Sequence, residues 1–257
     1  MDDKMSAPGR VTIAGTHALV TGANRGLGKA FVAELLDRGV AVVYAAARNP
    51  DTIDIDDRVI PIRLDVTNTD DVLAAASRCA DVSVLINNAG AMLRAPLLAA
   101  PDLSAARSEM ETNYFGTLAM CRAFAPVLAR NGGGAVVNVL SVVSWLASPF
   151  NGSYGASKSA EWALTNAIRI ELRAAGTLVV GVHAGWIDTD MAANVPQSKI
   201  STGDVARQTL DGVQRGDEEV LTDDKTREVK ASLPTDLTSL YPAMQKQWDA
   251  HEWPWKD

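Results

Sequence analysis

Cysteine is nearly absent from this chain: Cys79 and Cys121 are the only two in 257 residues. Each falls in a run with helical spacing and has no metal-ligating neighbour, so the pair reads as reduced structural thiols of a cytoplasmic protein. A disulfide framework fits less well, and no metal is called for. Long apolar runs are missing too. No stretch of about 18 residues escapes a charge or a turn breaker, which argues against a membrane span. Residues 1–10, with Asp2, Asp3, Lys4, Pro8 and Gly9, lack the apolar core of a signal peptide, and residues 1–11 are expected to form a loose leader. Nor is there a basic cluster. Lys and Arg are scattered, and a net charge of −7 with pI near 5.0 leaves no footprint for nucleic acid. Internal repeats, low-complexity linkers and compositional breaks are also lacking.

What the chain does have is apolar content, 47% against 21% charged, enough to bury a large core within one α/β domain over residues 1–257. Short apolar runs alternate with longer segments of helical period, the signature of a single doubly wound parallel sheet with helices on both faces. Strands are expected at 18–20, 40–46, 59–64, 82–86, 135–140, 178–183 and 219–221. Most carry Val and Ile at successive positions, as strands buried on both faces require. Helices are expected at 27–38, 70–77, 103–129 with a possible break, 153–174 and 203–215, with Gly39, Gly132 and Gly176 as stops.

The first strand runs into Thr21-Gly22-Ala23-Asn24-Arg25-Gly26-Leu27-Gly28 and then into an amphipathic helix, the context a dinucleotide-phosphate turn demands. Gly22 permits the tight turn, Gly26 lets the backbone approach a pyrophosphate, and Gly28 lets the helix pack closely on the sheet. The helix N-terminus adds unpaired N–H groups and positive potential. At the end of the second strand, where NAD-binding proteins place a carboxylate, this chain reads Tyr44-Ala45-Ala46-Ala47-Arg48. The missing carboxylate, together with guanidinium groups at Arg25 and Arg48 that suit a 2′-phosphate, favours NADP(H) over NAD(H). The alternative leaves both arginines as solvated surface residues.

Tyr154 and Lys158 stand one helical turn apart in Gly152-Ser153-Tyr154-Gly155-Ala156-Ser157-Lys158. A fixed ammonium roughly 4 Å from a phenol, at an effective dielectric of about 20, favours the phenolate by about 4 kcal/mol, or about three pKa units. Tyr154 is therefore expected to exchange a proton near neutral pH.

Thr21-Gly-x-x-x-Gly-x-Gly28, Asn87-Asn88-Ala89-Gly90, Asn113, Ser141 thirteen residues before Tyr154, and Lys158 closely resemble the short-chain dehydrogenase/reductase family in its compact form of about 250 residues. The resemblance covers residues 12–222. It implies a Rossmann-type sheet and hydride transfer between NAD(P) and a carbonyl or alcohol carbon. Tyr154 is then the general acid or base, Ser141 holds the carbonyl oxygen, Lys158 lowers the tyrosine pKa and binds the nicotinamide ribose, and Asn113 positions a water that relays protons. The same resemblance assigns Gly22, Asn24, Arg25, Gly26, Leu27, Gly28 and Arg48 to the cofactor, with Asp65 and Val66 at the adenine. It sets Asn88, Ala89 and Gly90 along the cofactor, and Gly185, Ile187 and Thr189 at the nicotinamide. Ala184 stands where the family usually has Pro, so that loop is expected to be somewhat less constrained.

Substrate contacts are expected from Leu93, Ser141, Val143, Trp145, Phe150, Tyr154, Trp186 and Met191, a largely apolar wall suited to a hydrophobic ketone, aldehyde or secondary alcohol. The resemblance places a mobile lid over the cleft at Met191 to Thr202, with an inert surface loop as the alternative. Residues 241–257 hold Trp248, Trp253 and Trp255, half of the six tryptophans, and are expected to dock on this subunit or a neighbour. The resemblance implies a homodimer or homotetramer through helices near 113–129 and 153–174, where Ala163, Leu164, Ala167 and Ile168 serve either an interface or the core. A non-catalytic NADP(H)-binding regulator on the same fold is the alternative. A sugar-nucleotide epimerase or dehydratase fits less well, because those chains carry a larger C-terminal substrate domain.

Overall fold

A computed structural model describes residues 9–255; the expected leader lies largely outside these residues. Seven strands, β1 (His17–Thr21), β2 (Val42–Ala47), β3 (Val59–Arg63), β4 (Val84–Asn87), β5 (Gly134–Val139), β6 (Thr177–His183) and β7 (Glu219–Leu221), form one parallel sheet in the order 3-2-1-4-5-6-7. The helices are α1 (Gly26–Asp37), α2 (Thr69–Arg78), α3 (Ser104–Met110), α4 (Thr117–Arg130), α5 (Gly152–Arg173), α6 (Thr202–Arg215), α7 (Asp224–Ser232), α8 (Asp236–Ser239) and α9 (Tyr241–Asp249).

Alternation along each strand sends successive side chains to opposite faces of the sheet, so a strand buried on both sides feeds two cores. Val20, Ala45, Ile86, Val137 and Val180 point to one, closed by Leu27, Phe31 and Leu35 of α1 and Val205, Leu210 and Val213 of α6. Leu19, Ala46, Leu85, Val136 and Val179 point to the other, closed by Val72 of α2, Met120, Phe124 and Leu128 of α4, and Leu164 and Ile168 of α5. This separates residues whose roles the sequence leaves open: Leu164 and Ile168 belong to the core, whereas Ala163 and Ala167 face outward, beside exposed Ile170. No helix among the described residues is long and apolar enough to cross a membrane.

The expected break in the long helix is a π-turn at Glu111–Gly116, between α3 and α4. It carries Asn113, whose side chain leaves the helix to bond elsewhere. Helices α7 to α9 have no counterpart in the pattern of apolar residues. The reason for α7 is that only Thr226 and Val229 are buried in it, so its start is set by a capping box between Asp223 and Thr226.

The tryptophan-rich segment docks on its own chain. Phe150, 2% exposed, lies against Trp248, Trp253 and Trp255 at ring-centroid distances of 5.4, 5.1 and 6.5 Å. The Arg94 guanidinium covers Trp255 at 5.3 Å. A chain ending at Leu240 uncovers Phe150 and is expected to lose about 1.5–3 kcal/mol of stability, measured by urea unfolding. An unchanged midpoint contradicts the docking.

Candidate active site

The turn from β1 into α1 is tied to the end of β4. Thr21 Oγ1 accepts from the backbone N–H of Asn88 (2.9 Å) and Ala89 (3.0 Å), and Asn88 Nδ2 donates to the carbonyl of Thr21 (2.9 Å). Gly22 sits at φ 64°, and a Cβ on Gly28 would fall 2.1 Å from the Gly22 carbonyl oxygen, so the backbone closes here only without side chains. The entry to α1 has no side-chain cap and no acidic residue in its first turn. Its free N–H groups and dipole therefore face whatever occupies the turn, and an anion is the complement. This bare, glycine-narrowed cradle fits a pyrophosphate.

The cradle opens into a cleft of ≈ 2030 Å³ that runs along the carboxyl ends of the strands to the C-terminal segment. Every residue assigned above to the cofactor, from Gly22 to Thr189, lines it. Arg25 and Arg48 are both in the wall, and Arg25 Nη1 lies 3.4 Å from Asp190 Oδ2. Asp65 accepts from the N–H (3.0 Å) and hydroxyl (2.7 Å) of Thr67. Burial raises its pKa, but these bonds and the charges of Arg48 and Arg63 outweigh that and hold it below the usual carboxylate value.

Tyr154, Lys158 and Ser141 meet at the floor of the same cleft. Ser141 follows β5, its hydroxyl accepting from Val143 N–H at 3.3 Å. Lys158, 5% exposed, donates to the Val139 carbonyl (2.8 Å) and to Glu161 Oε2 (2.6 Å), with Nζ 6.0 Å from the centre of the Tyr154 ring. Asn113 does not line the cleft. Fully buried behind it, Asn113 accepts from Ala91 N–H (2.8 Å) and donates to the Ala91 carbonyl (2.9 Å) and Ser157 Oγ (2.8 Å). Its side chain splints the segment after β4 to α5.

Three expectations change. Tyr154 is not brought down toward neutrality: burial raises its pKa above the ordinary phenol value, Lys158 and Ser141 lower it, and the negative charges of Glu161 and Glu109 oppose them. Trp145 does not line the cleft; the 3₁₀ turn Val142–Ser144 carries it behind the site, where its ring stacks on His183 at 3.7 Å under Lys230 at 4.7 Å. Leu93, Val143, Phe150, Trp186 and Met191 do line the cleft. The looseness expected of Ala184 is offset by its neighbours: Gly185 N–H donates to Asp223 Oδ2 (2.7 Å), and the Ala184 carbonyl accepts from Val142 N–H (2.9 Å).

Trp253 and Trp255 of the aromatic tail complete the outer wall, together with Met244 and Gln247, which were not singled out in the sequence. Glu109 and Glu161 are buried carboxylates behind it. The signal for Glu161 was a carboxylate three positions after Lys158, on a helix face that otherwise points into the core.

Among known proteins, residues 16–200 match the family model described as short chain dehydrogenase. The chain is 42% identical to a short chain dehydrogenase from Burkholderia cenocepacia J2315 whose crystal structure is in complex with NADP, with a TM-score of 0.87 over 91% of this chain and 98% of that one. It is 34% identical over 213 residues to the cis-4-hydroxycyclohexanecarboxylate dehydrogenase of Sinomonas cyclohexanicum, covering 78% of this chain and 84% of the relative. It is 30% identical over 190 residues to a 3-oxoacyl-(acyl-carrier-protein) reductase of Synechocystis sp., covering 69% and 76%.

His183 beneath Ser141 carries a pH consequence. Its Nδ1 is 3.1 Å from the Ser141 carbonyl, and burial depresses its pKa to about 3. The unfolded chain binds that proton near the ordinary value of about 6.5, so the stability held by the neutral ring is complete above that pH and is lost as pH falls toward 3, by about 1.4 kcal/mol per pH unit. Melting temperatures from pH 7 to 4 are expected to fall less steeply in His183→Gln than in the parent; parallel slopes contradict this assignment.

Proposed function

The chain belongs to the short-chain dehydrogenase/reductase family of oxidoreductases, and from that premise we propose that it is an NADP(H)-dependent enzyme that reduces a hydrophobic ketone or aldehyde, or oxidises the matching secondary alcohol. The observation that carries the reading is that the uncapped α1 entry and the Tyr154 hydroxyl open into one cleft. When bound there, the dinucleotide supplies or accepts the hydride.

The first turn of α1 holds the pyrophosphate, and Arg25 and Arg48 grip the 2′-phosphate. Asp65 and Val66 hold the adenine, Asn88 to Gly90 run along the dinucleotide, and Gly185, Ile187 and Thr189 hold the nicotinamide end. Lys158 has two of its three N–H groups committed to Val139 and Glu161, leaving one for the ribose. Tyr154 gives its proton to the carbonyl oxygen while Ser141 orients that oxygen, and the same groups run the reverse step. Leu93, Val143, Phe150, Trp186 and Met191, extended by Trp253 and Trp255, exclude water and select an apolar substrate. The outward stripe of Ala163, Ala167 and Ile170 on α5 supports self-association as a homodimer or homotetramer. Buried free Cys79 and Cys121 support a reducing, cytoplasmic setting.

NADPH oxidation with hydrophobic ketones, aldehydes and diketones is expected to fall about 10²- to 10⁴-fold in Tyr154→Phe while NADPH binding is retained. Tight NADPH binding by the parent with no turnover on any compound favours a regulator instead. Arg48→Ala is expected to raise the KM for NADPH about ten- to a hundredfold and leave that for NADH unchanged; an equal change for both dinucleotides removes Arg48 from the 2′-phosphate.

A further inference from the structure

Positive φ is uncommon outside glycine, and among the described residues only Arg94 (φ 55°) and His251 (φ 54°) adopt it without being one. Far apart in the chain, they serve a single joint. His251 ends α9: its N–H donates to the Trp248 carbonyl (3.1 Å), and the Glu252 N–H donates to the Gln247 carbonyl (2.9 Å). These are the paired bonds of a Schellman turn, whose left-handed position ordinarily belongs to glycine. The turn brings the end of the chain back to the cleft, where Trp253, Pro254 and Trp255 line the wall.

Arg94, on the segment after β4, meets them there. Its guanidinium covers Trp255 at 5.3 Å, and its Nη2 donates to the Met191 carbonyl at 2.9 Å. One side chain thus ties together the loop after β4, the loop after β6 and the C-terminal segment. Left-handed backbone at a non-glycine residue is strained, and such strain persists where the surrounding structure imposes a particular geometry.

The residue this joint presents is Trp253. Its ring centre lies 5.1 Å from Phe150, 6.1 Å from Trp248 and 6.0 Å from Trp255, at interplanar angles of 64°, 59° and 48°. All three neighbours meet it edge-on or tilted, so none stacks flat on the indole. Phe150 beneath is 2% exposed, yet Trp253 keeps 45% of its surface open while lining the cleft. Phe150 stands four residues ahead of Tyr154, which places the indole at the same end of the cleft as the Tyr154 hydroxyl.

We propose that Trp253 is a specificity-determining residue, an aromatic platform for a planar ring of the substrate, so that the hydrophobic carbonyl compound or alcohol taken by this site is an aryl one. The proposal rests on the reading of the cleft as the site of an NADP(H)-dependent reductase or alcohol dehydrogenase, and it narrows that reading to one substrate class.

Hydrophobic burial and ring stacking make opposite demands here. A cyclohexyl group is at least as apolar as a phenyl group, so a wall that only excludes water binds it equally well or better. An indole held at a fixed angle gains from stacking or edge-to-face contact only with another π-system, by about two- to tenfold in affinity.

The test compares 1-phenylethanol with 1-cyclohexylethanol, which differ only in that ring. With NADPH present neither alcohol can be oxidised, so ligand-observed NMR titration reads binding apart from turnover. The parent is expected to bind the phenyl compound at least about twofold more tightly. Trp253→Leu, which keeps an apolar side chain, is expected to lose or reverse that preference, and Trp253→Phe to retain it. Equal affinities in the parent, tighter binding of the cyclohexyl compound, no binding of either, or a preference that survives in folded Trp253→Leu overturns the proposal. If Trp253→Leu does not fold, the parent's two affinities still decide. NADPH-linked reduction of cyclohexyl methyl ketone by a parent without phenyl preference keeps the reductase and discards the aryl class. Phenyl-selective binding without turnover of any ketone keeps the platform and counts against the reductase.

Discussion

The chain leaves β1 for β2 on one side of the sheet, and β4 joins β1 on the other. A parallel sheet that splits this way opens a crevice at the carboxyl ends of its central strands, and ligands of doubly wound folds bind there. Everything functional in this molecule follows from that split. The bare entry of α1 stands at the mouth of the crevice, Ser141 and Lys158 come off β5 and the helix after it, and the loop after β6 closes the far side. The Thr21 hydroxyl, shared between two N–H groups of the β4 segment, holds the two halves in register at the point where they diverge.

The floor of the crevice is electrostatically unusual because it buries charge of both signs. Lys158 and Glu161 are each almost fully buried, and burial alone would strip the proton from the lysine. The carboxylate overcomes that and keeps the ammonium charged. The pair adds little stability, since buried ion pairs gain little over apolar residues of the same size. At the other end the cleft is closed by aromatic rings from residues 248–255 packed on Phe150, a hydrophobic outer wall built by the end of the chain.

Much of this was legible in the sequence, for identifiable reasons. Strands buried on both faces write themselves as runs of Val, Ile and Ala, and all seven were located to within about two residues. The glycine turn was legible because Gly28 admits no substitute against the Gly22 carbonyl. The break near Asn113 was visible as a disturbance, though not as a π-turn. What escaped was everything that depends on direction. Trp145 is aromatic and adjacent to the site, yet one 3₁₀ turn aims it backward onto His183. Spacing reveals Lys158 beside Tyr154, and its charge does lower the phenol's pKa, but spacing shows neither the burial that raises that pKa nor the carboxylate that adds to the rise. Helices α7 to α9 bury too little of any face to leave a periodic signature.

The account turns on hydride delivery into the crevice with Tyr154 supplying the proton. The most direct measurement is product analysis after incubation of the protein with a hydrophobic ketone and NADPH deuterated at the transferable C4 position. The account predicts one deuterium on the new carbinol carbon, one equivalent of NADP produced per alcohol formed, and retention of that label when solvent is changed. Product formed without net oxidation of NADPH, or alcohol whose new carbon-bound hydrogen comes from solvent, would contradict it.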